Sequence, residues 1–94
     1  MEVRLNQIFE IIRDENPSTG FTYFAEELSN GLRLLKSEYI KSESAVKRHL
    51  YGSPGYHIWT IKAIRTGKQS VKLYYGQEWD KSTWEIKTIN VYVD

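Results

Sequence analysis

Two serines, a lysine, an arginine and a histidine fall within the nine residues Ser42-Glu43-Ser44-Ala45-Val46-Lys47-Arg48-His49-Leu50. On a helix, Val46 and Leu50 at i, i+4 form a buried edge, and Ser42, Glu43, Ser44, Lys47 and Arg48 turn toward solvent. Such a helix can read bases: Lys47 or Arg48 donates to guanine or phosphate, and Ser42 and Ser44 donate to phosphates or base edges. Glu43 can accept from cytosine or pair with Lys47 at i+4. The competing reading is an amphipathic helix with an ordinary wet side. Lys41 precedes this run, and a second basic group follows at Arg65-Thr66-Gly67-Lys68-Gln69, with Lys62 and Lys72 flanking it. These cations suit a hairpin tip against a DNA backbone, or strand edges protected from aggregation. His49 and His57 read as hydrogen-bonded interfacial histidines, with phosphate contact or pH sensing as the alternative.

The elements that must position these groups follow from periodicity. Leu5, Ile8, Phe9 and Ile12 have the spacing of one helix face, ended by Asn16-Pro17-Ser18-Thr19-Gly20. Thr22 is a fitting N-cap for a second helix with Phe21, Phe24, Ala25 and Leu28 on its stripe, stopped at Asn30-Gly31. The stretch from Leu32 to Tyr51 reads as two helices divided near Ser42, or as one. Gly52-Ser53-Pro54-Gly55 is a turn. Residues 56–65, 70–75 and 84–93 are rich in β-branched and aromatic types and read as strands. A tip at Thr66-Gly67 would pair Arg65 with Lys68, Trp59 with Tyr74 and Ile58 with Tyr75. The expected fold is α+β. A three- or four-helix unit over about residues 3–51 precedes a three-stranded antiparallel meander over about 56–93, in one domain spanning 1–94.

This order resembles the winged helix-turn-helix superfamily. Residues 5–13 match its first helix, 21–28 its positioning helix, 42–50 its recognition helix and 58–75 its wing. The long stretch 29–41 and the final strand 84–93 depart from that pattern. The resemblance implies a double-stranded DNA-binding protein, a transcriptional regulator being one form. The DNA-binding residues would be Lys41, Ser42, Glu43, Ser44, Lys47, Arg48, Lys62, Arg65, Thr66, Lys68, Gln69 and Lys72.

Charge segregation agrees with a polyanion partner. Residues 1–30 hold two basic and six acidic side chains, 31–75 nine and two, and 76–94 two and four. A polyanion would meet the middle of the chain, unless each segment simply presents a solvated face. Other classes are poorly served. The chain has no cysteine and two histidines, so no disulfide, thiolate metal site or cofactor is expected. No phosphate-binding glycine loop or nucleophile elbow marks an enzyme. Neither a membrane-length apolar run nor a secretory leader is evident, and a cytoplasmic location is expected.

A second reading belongs to another class. A protein-interaction module or inhibitor would use the acidic face Glu10, Asp14 and Glu15, or the aromatic C-terminal sheet. Trp79, if exposed in its loop, would mark a protein contact. A third is single-stranded nucleic acid stacking on sheet aromatics. Oligomeric state is open, with a homodimer through the last strand as one option.

Overall fold

The computed structural model describes residues 1–41 and 55–94. Seven strands occur among them: β1 (Glu2–Val3), β2 (Ile8–Glu15), β3 (Thr22–Leu28), β4 (Leu32–Lys41), β5 (Gly55–Ala63), β6 (Gly67–Gly76) and β7 (Glu85–Val93). They form a four-stranded sheet in the order β1-β7-β6-β3 and a three-stranded sheet in the order β2-β5-β4. Every pairing is antiparallel except β1 with β7. The two sheets enclose one core.

The α+β expectation is therefore corrected to an all-β sandwich. Two short 3-10 turns are the only helical segments among the described residues. Residues 8–13, expected to be helical, lie in β2 because their apolar set satisfies both periods. Phe9 and Ile11 alternate into the core, while Ile8 and Ile12 stay 57% and 51% exposed on the outer face. The i, i+3, i+4, i+7 match joined residues from opposite faces of a strand, and β-branched isoleucines favour that strand. The second helix is β3. A β-bulge between Tyr23 and Ala25 places Phe24 and Ala25 together opposite Tyr74, which broke the visible alternation. Residues 32–41 are β4, also bulged, between Leu34 and Lys36. The continuation of that segment as a recognition helix, residues 42–50, lies outside the described residues, as does the Gly52–Pro54 part of the expected turn.

Strand character over 56–65, 70–75 and 84–93 coincides with β5, β6 and β7, but not as one meander. β6 pairs with β7, whereas β5 belongs to the opposite sheet. The expected hairpin pairs Trp59–Tyr74 and Ile58–Tyr75 do not form. Instead Trp59 lies opposite Ile11 and Ser37, and Tyr74 opposite Ala25 and Ile86. The reason is burial. Along β5 every second residue is inside, with Trp59, Ile61 and Ala63 fully buried, and Val71 and Leu73 of β6 are equally buried. Two strands this apolar on one face stabilise the domain more across a core than side by side. Residues 64–66 carry the chain between the sheets, and the amides of Ile64 and Arg65 donate to Gly31 O at 2.8 and 3.3 Å.

The topology sorts connections to two ends. β2 ends, β5 begins and β4 ends at one level, where Glu15 and Lys41 both lie opposite Gly55. β3 begins and β6 ends at that same end, with Thr22 opposite Gly76. Residues 16–21 and 77–84 thus connect strands at one end, where β4 also ends and β5 begins. Residues 4–7, 29–31 and 64–66, with both termini, occupy the other.

Candidate functional site

The described members of the expected DNA-contacting set lie apart from one another. Lys41 ends β4 at the first end of the sandwich, whereas Arg65 and Thr66 sit exposed at the other. The nine residues of β5 separate them by roughly 25–30 Å at about 3.3 Å per residue. Lys62 lies opposite Ile8 and Arg33 on the outer face of the smaller sheet. Lys68 and Lys72 are exposed along β6, opposite Tyr92 and Thr88 of the larger one. Gln69 is a structural fastener: its Oε1 accepts from Ser29 Oγ at 2.7 Å and from the Gly31 amide at 3.0 Å. Ser42, Glu43, Ser44, Lys47 and Arg48 lie outside the described residues. Among the described residues, the basic side chains of the middle of the chain are thus divided between sheets and ends.

What the fold does bring together is the end bearing residues 16–21 and 77–84. The first of these connections is held by its own atoms. Pro17–Thr19 form a 3-10 turn. Thr19 Oγ1 donates to Asn16 O at 2.9 Å, Ser18 Oγ donates to Asn16 Oδ1 at 2.8 Å, and the Gly20 amide donates to Pro17 O at 2.9 Å. Gly20 has φ of 80°, a left-handed geometry that costs an L side chain about 1–2 kcal/mol.

The second connection is likewise self-supporting. Asp80 Oδ1 accepts from the Ser82 amide at 3.1 Å and from Ser82 Oγ at 2.6 Å. Trp84 Nε1 donates to Gln77 O at 2.9 Å, which closes the loop. Phe24 covers Trp84 with ring centroids 4.8 Å apart, so the bulge in β3 supplies a ring that braces this loop. Trp79 projects from the middle, 74% exposed. Its ring edge lies on Gly20, where an added Cβ would come within 2.7 Å of Cη2. The two loops therefore touch through the tryptophan and the glycine.

Directly beneath lies a polar layer. Glu15, 4% exposed, accepts through Oε2 from the Tyr23 amide. Its Oε1 is 3.1 Å from His57 Nδ1, and His57 Nε2 is 2.7 Å from Ser37 Oγ. His57 stacks on Trp59 with centroids 4.2 Å apart and planes 14° apart. Lys87 Nζ donates to Tyr23 Oη at 3.2 Å and lies over the Tyr75 ring at 4.8 Å. That hydrogen bond first, and the neighbouring charges after it, raise the Lys87 pKa against the opposing effect of burial. The Tyr39 phenol is also raised, by burial first and the Glu15 charge second.

Among the described residues there is no cluster of His, Asp and Glu fit to hold a metal ion. This end presents, among the described residues, one strongly exposed tryptophan, Trp79, a residue type enriched at protein–protein contacts. Sequence reasoning marked Trp79 as a protein contact if exposed. It treated Asn16–Gly20 only as punctuation, because nothing local shows that this turn will meet Trp79.

Comparisons with known proteins bear on the family and the fold. The family model "Chagasin family peptidase inhibitor I42" matches residues 2–93. A cysteine protease inhibitor, EhICP2, from Entamoeba histolytica has a similar structure, with a TM-score of 0.75 and 20% identity, over 100% of this chain and 85% of that one. Amebosin, solved in solution, is similar with a TM-score of 0.71 and 25% identity, over 100% and 87% of the two chains. No curated protein sequence matches. The winged-helix resemblance, the double-stranded DNA partner and the role in transcription are overturned by this family match and by the all-β fold.

Proposed function

We propose that this chain, which belongs to the chagasin family of peptidase inhibitors, blocks cysteine peptidases by seating its loop edge in their substrate cleft. The observation that carries the proposal is Trp79, 74% exposed yet braced against Gly20. An anchor that is ordered before binding loses little side-chain entropy on docking, so more of its buried area appears as affinity. Residues 16–21 and 77–84 fill the cleft by shape, and no bond is made or broken. The chain acts as a ligand of an enzyme rather than as an enzyme, and its partner is a peptidase. Having no cysteine, it needs no oxidising compartment, which supports a cytoplasmic location.

The test is inhibition of papain, followed by progress curves of peptide-substrate hydrolysis. Competitive, reversible inhibition that blocks covalent labelling of the active-site thiol is expected. Trp79→Ala should weaken it about 30-fold, since a central tryptophan anchor is worth about 2 kcal/mol or more. Undiminished labelling at saturating inhibitor would overturn the reading.

A further inference from the structure

The polar layer under the loop edge takes one side chain from each of five strands. Lys87 of β7 reaches Tyr23 of β3 at 3.2 Å, and the Tyr23 amide reaches Glu15 of β2. Glu15 reaches His57 of β5 at 3.1 Å, and His57 reaches Ser37 of β4 at 2.7 Å. The sixth strand entering this end, β6, adds Tyr75, whose ring lies 4.7 Å from that of Tyr23. The layer thus crosses the whole sandwich at the level where the connections 16–21 and 77–84 begin.

Stability alone gives a poor reason for it. Removing a carboxylate from water costs several kcal/mol, and a well-packed apolar group in its place is often neutral or stabilising. An apolar core already lies next to it, with Trp59, Ile61, Val71 and Leu73 fully buried. Hydrogen-bonding direction gives a better reason, because packing does not fix a loop's bearing and directed bonds do. Glu15 immediately precedes the 16–21 connection, and Tyr23 follows it by one strand residue. One carboxylate therefore ties both feet of that loop. Through His57 it is linked to β5 two residues from its start. Through Tyr23 and Lys87 it is linked to β7 two residues after its start, beside the loop bearing Trp79.

We propose that Glu15 is a positioning residue for inhibition: its bonds to Tyr23 and His57 hold the loops of the binding edge in the relative placement a peptidase cleft accepts. This rests on the inhibitory reading above. It touches no peptidase group itself and acts through the loops.

The experiment compares Glu15→Ala, Glu15→Gln and Trp79→Ala in the full chain, with papain association and dissociation rates, and amide hydrogen exchange on the free protein. Glu15→Ala should lose at least tenfold in affinity, mainly through slower association. Exchange at Gly20 and Tyr23 should accelerate while Val71 and Leu73 in β6 stay protected. Glu15→Gln keeps an acceptor for the Tyr23 amide and should recover affinity to within about threefold of the parent. A folded Glu15→Ala protein that inhibits like the parent overturns the proposal. So does a loss of inhibition with equal loss of protection in β6, since that is general unfolding.

Should Glu15→Ala not fold, Ser37→Ala and Lys87→Met at the ends of the layer take its place. Each should slow association two- to fivefold, and unchanged rates in both would overturn the proposal. Trp79→Ala separates the two readings. If it inhibits fully, the loop-edge reading fails. If it is weakened while Glu15→Ala is not, only the role of Glu15 fails.

Discussion

Trp79 and Gly20 are in contact although 59 positions separate them in the chain: a Cβ on Gly20 would lie 2.7 Å from Trp79 Cη2 and 3.2 Å from Cζ2. Gly20 also has φ of 80°. Gly20→Ala should therefore both strain the turn by about 1–2 kcal/mol and push the indole away. The expected result is at least a tenfold weaker inhibition of papain with a fall in Tm of about 4–16 °C, given about 4–8 °C per kcal/mol for a domain of this size. Inhibition equal to the parent would show that the contact does not order the anchor.

Trp59 is the largest fully buried side chain, stacked on His57 and edge-on to Tyr23 at 5.0 Å. Trp59→Ala should cost about 3–5 kcal/mol, lowering the denaturation midpoint in urea far more than any loop variant. Equilibrium unfolding followed by circular dichroism measures this directly.

At high pH the fold should weaken. The Lys87 pKa is raised chiefly by its bond to Tyr23, and the Tyr74 phenol is raised chiefly by donating to Glu27 Oε2 at 3.0 Å. A folded-state pKa above the unfolded one means that the folded form holds its proton more tightly. The stabilisation is then complete below the ordinary lysine and tyrosine pKa values, and it is lost as pH rises through the raised folded values. Tm measured from pH 8 to 11.5 should fall across that alkaline range. In a spectrophotometric titration, Glu27→Gln should move one tyrosine back toward its ordinary pKa.

Arg65 and Lys68 stand at the end of the sandwich away from the loop edge. The double variant Arg65→Ala, Lys68→Ala should inhibit papain to within about twofold of the parent, because exposed charges farther off than a Debye length of about 8–10 Å are largely screened. A tenfold change measured at 0.15 M salt would mean that this basic end reaches the peptidase.

How far the sequence was legible depends on where each signal lay. The strands β5, β6 and β7 are visible in their β-branched and aromatic runs, because no helix-period stripe competes there. β2 is not, since Ile8, Phe9, Ile11 and Ile12 fit a helix face as well as a strand. β3 and β4 are hidden by bulges at Phe24 and Leu35, each of which shifts the alternation by one residue. The charge count suggested a cationic middle, but adjacency in sequence is not adjacency in space once β5 and β6 part to different sheets.

The sequence by itself determined several things. The chain would be rich in strand toward its C-terminus, Asn16–Gly20 would be a turn, and no thiol chemistry was available. Those properties are local, set by backbone sterics and residue type. Only the tertiary structure decided that Glu15, Tyr23 and His57 share a polar layer, that Trp79 meets Gly20, and that residues 16–21 and 77–84 share one end of a sandwich. Each depends on which strand packs across the core from which, and that is settled by burying the apolar faces of two sheets together.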